Sequence, residues 1–248
     1  MRDDSSRAQA ASAVLAALML TQSALGLLFP GAYRDVAWIR ATWYGNDWVT
    51  LAVAVPALAG ALLLARCGSV RGRLLWLGLL GYGVYNYALY AVGAALNAFF
   101  PLYVALLVLA AATLRLAVRD ADAEGIARAF RRRTPARVVG AYVTLVATGL
   151  AGVWLALWAA YAFAGKRTPV EPEVFKLVAA LDLTLMVPAL ATGGVLLWRR
   201  RPWGYVVASA AAMRPLEPLT PPRAAPRSSR TRPGRRRALW VTHDESRA

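Results

Sequence analysis

Leu74 to Leu114 is a run of 41 consecutive residues without a charge, most of them apolar. Asn97 and Pro101 interrupt it near its middle. A bilayer core about 30 Å thick takes roughly 20 apolar helical residues to cross. This one run is therefore long enough to cross twice. Four other long apolar runs lie elsewhere in the chain, which predicts a polytopic membrane protein. Its Ala/Leu-rich spans fit an all-α helix bundle better than β-barrel strands, which alternate in segments of about ten residues.

Composition agrees with this reading. The 248 residues are 58% hydrophobic, 17% are charged and the mean hydropathy is +0.44. Soluble domains carry about 25% charged residues. A net charge of +16 raises the question of nucleic acid. The arginines, however, flank apolar spans or fill the C-terminal tail, so the expected partners are the bilayer and its anionic headgroups, with no nucleic acid. Protein partners are not readable. The single cysteine, Cys67, rules out an intrachain disulfide; its site near a cytoplasmic helix end suits palmitoylation, or else a buried or incidental thiol.

Six spans are expected: 8–29, 48–65, 74–96, 99–118, 138–164 and 174–198. The first follows Arg2 and Arg7, as a secretory signal would. It exceeds the 7–15 residues of a signal core, and no cleavage site follows, so a retained helix is expected. Pro56 is expected to kink the second span. After Arg199-Arg200-Arg201-Pro202, the apolar segment Trp203 to Met213 is too short to cross and suits an interfacial or truncated seventh helix. The helical domain thus covers 1–213. From Arg214 to Ala248 the chain turns rich in arginine and proline, a composition expected to be disordered. The abrupt change also suggests a frameshift within a seventh helix.

Basic residues set the orientation. With six spans, the side holding both termini receives 24 of the 29 lysines and arginines, and the opposite side 5. Both termini are therefore expected in the cytoplasm of a bacterial inner-membrane protein. The Arg131-Arg132-Arg133 cluster and the tail then face anionic lipid.

This topology gathers polar residues toward the outer side. Asn46 and Asp47 fall at the mouth of the second span and Asn97 in the turn after the third. Glu171 and Glu173 precede the sixth span, and Asp182 lies roughly 9 Å inward from Lys176 at about 1.5 Å per residue. An acid inside a span faces protein or a water-filled cavity. On the third span, Tyr82, Tyr85, Asn86, Tyr90, Gly93 and Asn97 share an arc of about 140°, joined by Gly78, while Tyr87 points elsewhere. One reading is a polar lining that binds a solute or ion, with Asp182 charge-sensitive, Asn86 and Tyr90 orienting the ligand, and Asp47 and Asn97 at the entrance. The other is close helix packing through glycine, with tyrosine and asparagine bonding across helices.

Aromatic residues such as Trp43, Trp48, Trp76, Trp154, Trp158, Tyr161, Trp198 and Trp203 mostly suit headgroup anchoring. Pro56, Pro188 and Gly193-Gly194 suit local bends. The only histidine is His243, there is no Cys-x-x-Cys, and no phosphate-binding loop occurs. No enzyme activity, cofactor or metal is expected.

Gly45-Asn46-Asp47, Gly81-Tyr82-Gly83-Val84-Tyr85-Asn86-Tyr87 and Asn97-Ala98-Phe99-Phe100 resemble segments of an uncharacterised bacterial family of multi-span membrane proteins. So do Asp182 with Pro188, and Trp198-Arg199-Arg200-Arg201-Pro202-Trp203-Gly204-Tyr205. The resemblance covers about residues 10–210 and departs after Met213, where a further apolar helix belongs. It implies an integral membrane protein without an assigned activity and supplies no catalytic residue. The expected functions are solute or ion binding or translocation through an outward-facing polar cavity, or a non-catalytic membrane scaffold or assembly factor.

Overall fold

The computed structural model describes residues 2–130 and 135–212. The Arg131-Arg132-Arg133 cluster and the tail from Arg214, with its expected disorder and the frameshift idea, lie outside the described residues. Among the described residues all regular structure is helical. The helices are α1 (Arg2–Leu28), α2 (Ala37–Arg66), α3 (Val70–Gly93), α4 (Phe100–Arg119), α5 (Ala123–Phe130), α6 (Ala136–Ala164), α7 (Pro172–Trp198) and α8 (Trp203–Ala212). Five of them, α1, α2, α4, α6 and α7, are long and apolar enough to cross a membrane. Helix α3 is long enough at 24 residues, but its tyrosines, asparagine and glycines set it apart from those five.

Two expectations need correction. The second span was expected from residue 48, yet α2 begins at Ala37, so Asn46 and Asp47 lie inside a 30-residue helix rather than at its mouth. Residues 119–137 were expected as a connection, but they include the amphipathic helix α5, which turns Ile126 and Ala127 inward. Its eight residues were hidden by the flanking charges. The short apolar segment after Pro202 is the helix α8.

Helix α3 is the centre of the bundle. Side chains all round it are buried, including Trp76, Leu80, Tyr82, Tyr85, Asn86, Tyr87 and Tyr90. It is packed by α2, α4, α8 and the first half of α7. A helix shielded on every side needs no lipid-compatible surface, which accounts for its polar content. Helix α6 is the opposite case. Most of it is exposed, and Tyr142, Leu145, Val153, Leu155 and Phe163 face outward. That is the surface a lipid-facing helix presents.

The two helices that contain Pro56 and Pro188 are built alike. Each changes from α to π hydrogen bonding just before its proline, over Thr50–Ala54 and Asp182–Met186, and returns to α over Val55–Arg66 and Val187–Trp198. Proline lacks an N–H and crowds the carbonyl four residues back. Slipping to wider bonding, with Val55 N–H donating to Thr50 O and Val187 N–H to Asp182 O, relieves that crowding. The sequence Val-Pro-Ala-Leu-Ala occurs at both places, 55–59 and 187–191.

The likeness continues past the prolines at one constant offset of 132 residues (187 less 55, 198 less 66). Both helices end in the same turn. Gly68 N–H donates to Ala65 O and Ser69 N–H to Leu64 O; Arg200 N–H donates to Leu197 O and Arg201 N–H to Leu196 O. Gly68 and Arg200 both take positive φ, 79° and 55°. Gly72 and Gly204 then return the chain tightly, since a Cβ on either would press on the preceding helix. Buried Leu15 and Ala147 match, as do Gln22 and Trp154, at the same offset. The chain therefore holds two similar three-helix units, α1–α3 and α6–α8, joined by α4 and α5.

The units meet where α8 crosses α3. A Cβ on Gly81 would collide with the backbone of Ala210, whereas one on Gly60 meets nothing within 4 Å. Gly81→Ala is therefore expected to lower stability in detergent by about 1–3 kcal/mol through overpacking. Gly60→Ala is expected to be neutral or to stabilise by up to about 1 kcal/mol. Thermal unfolding of the two variants side by side checks this.

Candidate functional site

An acid carried into apolar surroundings is costly unless hydrogen bonds meet its charge. Two fully buried carboxylates, Asp47 and Asp182, organise the polar interior.

Asp47 projects from α2 toward α1 and α3. Tyr33 Oη donates to its Oδ2 at 2.6 Å, Tyr90 Oη to Oδ1 at 2.7 Å and Gln22 Nε2 to Oδ1 at 3.1 Å. Tyr87 Oη in turn donates to Gln22 Oε1 at 3.3 Å, fixing the amide. Burial, and next the charge of Asp47, hold the Tyr33 phenol well above its ordinary pKa, so it remains a donor. The Tyr90 ring is fixed by stacking on Trp43, with centroids 4.8 Å apart, and by Tyr103 at 4.9 Å. Helix α1 approaches closely because residue 26 is glycine: a Cβ there would run into Asp47 Oδ2 and Tyr33 Oη.

The seam continues along the antiparallel pair α2 and α3. Asn46 Nδ2 donates to Asn86 Oδ1 at 2.6 Å, and Thr50 Oγ1 shares a hydrogen with Tyr82 Oη at 2.9 Å. Asn86 Nδ2 and Trp43 Nε1 are buried without a partner among the described residues.

Asp182 opens the π turn of α7. Tyr85 Oη donates to Oδ1 at 2.7 Å from α3, and Trp154 Nε1 donates to Oδ2 at 2.8 Å from α6. Tyr85 belongs to the first unit and Asp182 to the second, so this acid ties the units together. Trp154 also walls a cleft of about 590 Å³ between α6 and α7, and Tyr85 walls one of about 230 Å³ beside α8. Neither cleft is lined by Asp182 itself.

The residues expected on one polar face of α3 are divided between these centres. Tyr82, Asn86 and Tyr90 meet α2, whereas Tyr85 alone meets Asp182. Tyr87, expected to point away, joins the Asp47 cluster instead, because α3 has no outward side. Asn97 lies beyond the end of α3, where its Oδ1 accepts the Phe99 N–H at 2.8 Å and starts the turn into α4. Glu173 is exposed and pairs with Lys176 at 3.1 Å. Gln22, Tyr33 and Thr50 were not anticipated, and Trp154, expected among the headgroup anchors, is instead buried against Asp182. An amide in the middle of the first apolar run, and the repeated Val-Pro-Ala-Leu-Ala, were the available pointers.

Comparison with protein-family models, curated proteins and solved structures gave no match.

Tyr90→Phe leaves Asp47 buried with one donor fewer and is expected to cost about 1–3 kcal/mol. Gly26→Ala is expected to cost at least as much, while Gly31→Ala, which has open space, is expected to be silent. Chemical unfolding in detergent micelles measures all three.

Proposed function

We propose that this chain is a non-catalytic integral membrane protein of scaffold type, whose two buried acids lock its helices together. The arrangement is six crossings, α3 supplying the sixth from the shielded centre of the bundle, with both termini cytoplasmic and α8 as a partial segment. The observation that carries this reading is the closure of both acids. Every carboxylate oxygen accepts a hydrogen bond from another element, and both side chains are fully buried. A bonded, walled-off acid holds neighbours at fixed separation; it is not poised to receive a solute. The basic end of the bundle supplies the contact with lipid or protein.

A second reading, binding or translocation of a small solute or ion, is favoured by one feature. Tyr85 and Trp154 are both the donors to Asp182 and the walls of clefts, so turning either ring would expose the acid. Asn86 Nδ2, left over beside Asn46, is a further polar atom that a ligand would satisfy.

Proteoliposomes separate the readings. The purified chain is reconstituted with an internal pH- or sodium-sensitive dye, and proton and sodium gradients are imposed. The expected result is a leak no greater than in empty vesicles, with Asp182→Asn lowering thermal stability by about 1–3 kcal/mol. A wild-type flux that Asp182→Asn abolishes while leaving stability intact would establish the second reading.

A further inference from the structure

The two similar helix-ending turns differ in one respect that matters. In the first unit the left-handed position is Gly68, the residue that takes positive φ without strain. In the second unit the same position is Arg200, at φ 55°. An L side chain is rarely found there.

Arg200 lines a pocket of about 270 Å³ formed by α5, the first turn of α6 and the start of α8. Ala127, Pro135, Ala136, Arg137, Val138 and Tyr205 also line it. Tyr205 is fixed there by stacking on Phe130 at 5.9 Å. Among the described residues its lining therefore includes two arginines, one tyrosine and no carboxylate-bearing residue. Neither Arg137 nor Arg200 has an ion pair or side-chain hydrogen bond among the described residues. Helix α6, 29 residues long, begins here without a side-chain cap, which adds to the positive potential.

The pocket also lies at the basic end of the bundle. Helices α2, α4 and α7 end there, and α3 and α6 begin there, bringing Arg66, Arg71, Arg73, Arg119 and Arg199 to the same level. Arginine grips phosphate oxygens with paired, charge-assisted hydrogen bonds. At the level where the spans leave the bilayer, the abundant phosphates are those of anionic lipid.

We propose that this pocket is a binding site for the phosphodiester headgroup of an anionic phospholipid, held by Arg137 and Arg200. The proposal rests on the membrane-embedded reading above and adds to it a specific ligand class and site. The arginine at a glycine position is the specificity device: the turn would form more easily without it, but the second guanidinium would be gone.

The full chain, purified in detergent, is tested for retained lipid by native mass spectrometry and for thermal shifts. The additions are phosphatidylglycerol, phosphatidylcholine and inorganic phosphate. The expected result is retention of, and stabilisation by, phosphatidylglycerol alone. Arg200→Gly is expected to melt no lower than wild type without lipid, since the turn is relieved, yet to bind phosphatidylglycerol at least tenfold more weakly. Arg137→Gln is expected to lose binding similarly, and the neighbouring Arg201→Gln to keep it. Unchanged lipid retention in Arg200→Gly and Arg137→Gln would overturn the site. Equal responses to inorganic phosphate and to phosphatidylglycerol would overturn the lipid assignment. A chain that stays dispersed without detergent would instead overturn the membrane reading, which keeps the two failures apart.

Discussion

A carboxylate surrounded by apolar helices has no water to fall back on, and that constraint shapes most of this molecule. Asp47 requires donors from three directions, so the chain between α1 and α2 folds inward to deliver Tyr33, α1 contributes Gln22 and α3 contributes Tyr90. Tyrosines are well suited to this, since each adds a large packing surface to a single strong donor. Between helices in lipid there is little hydrophobic drive to association, so packing and such bonds carry the burden of holding the bundle together. The aromatic stack of Trp43, Tyr90 and Tyr103 and the hydrogen bonds at its edge are thus two parts of one device.

The duplicated layout explains why polar residues lie where they do. In both units the first helix sends a side-chain N–H to an acid on the second, Gln22 to Asp47 and Trp154 to Asp182, from matching positions. The acids themselves do not match; the counterpart of Asp182 is Thr50, which bonds Tyr82. The two units share the frame of proline, π turn and tight return and differ in the groups they display. Asp182 reaches across to Tyr85 of the other unit, so the position that makes an internal bond in one half makes a clasp between halves in the other.

Much of the fold was legible in the sequence because long apolar runs bounded by arginines leave few alternatives. The six expected segments each correspond to a helix, and the short seventh to α8. The start of α2 was missed because Arg40, Asn46 and Asp47 read as a polar loop; burial against α1 and α3 overrides that appearance. The site was legible in part. Helical spacing identified the polar residues of α3 but assigned them one common face, and that logic fails for a helix covered on all sides. Tyr33 was invisible for a different reason: its importance comes from meeting an acid 14 residues away, which no local pattern encodes, whereas Gln22 stood out only as an amide within an apolar run.

Gly26 shows how far such a contact reaches beyond its own bonds. Because the carboxylate of Asp47 fills the space a methyl group at position 26 would need, the two positions are not free to drift separately. In any descendant chain that keeps this helix spacing, a larger residue at 26 must be accompanied by loss of the acid at 47. The pair should leave a covariation footprint linking the first helix to the second.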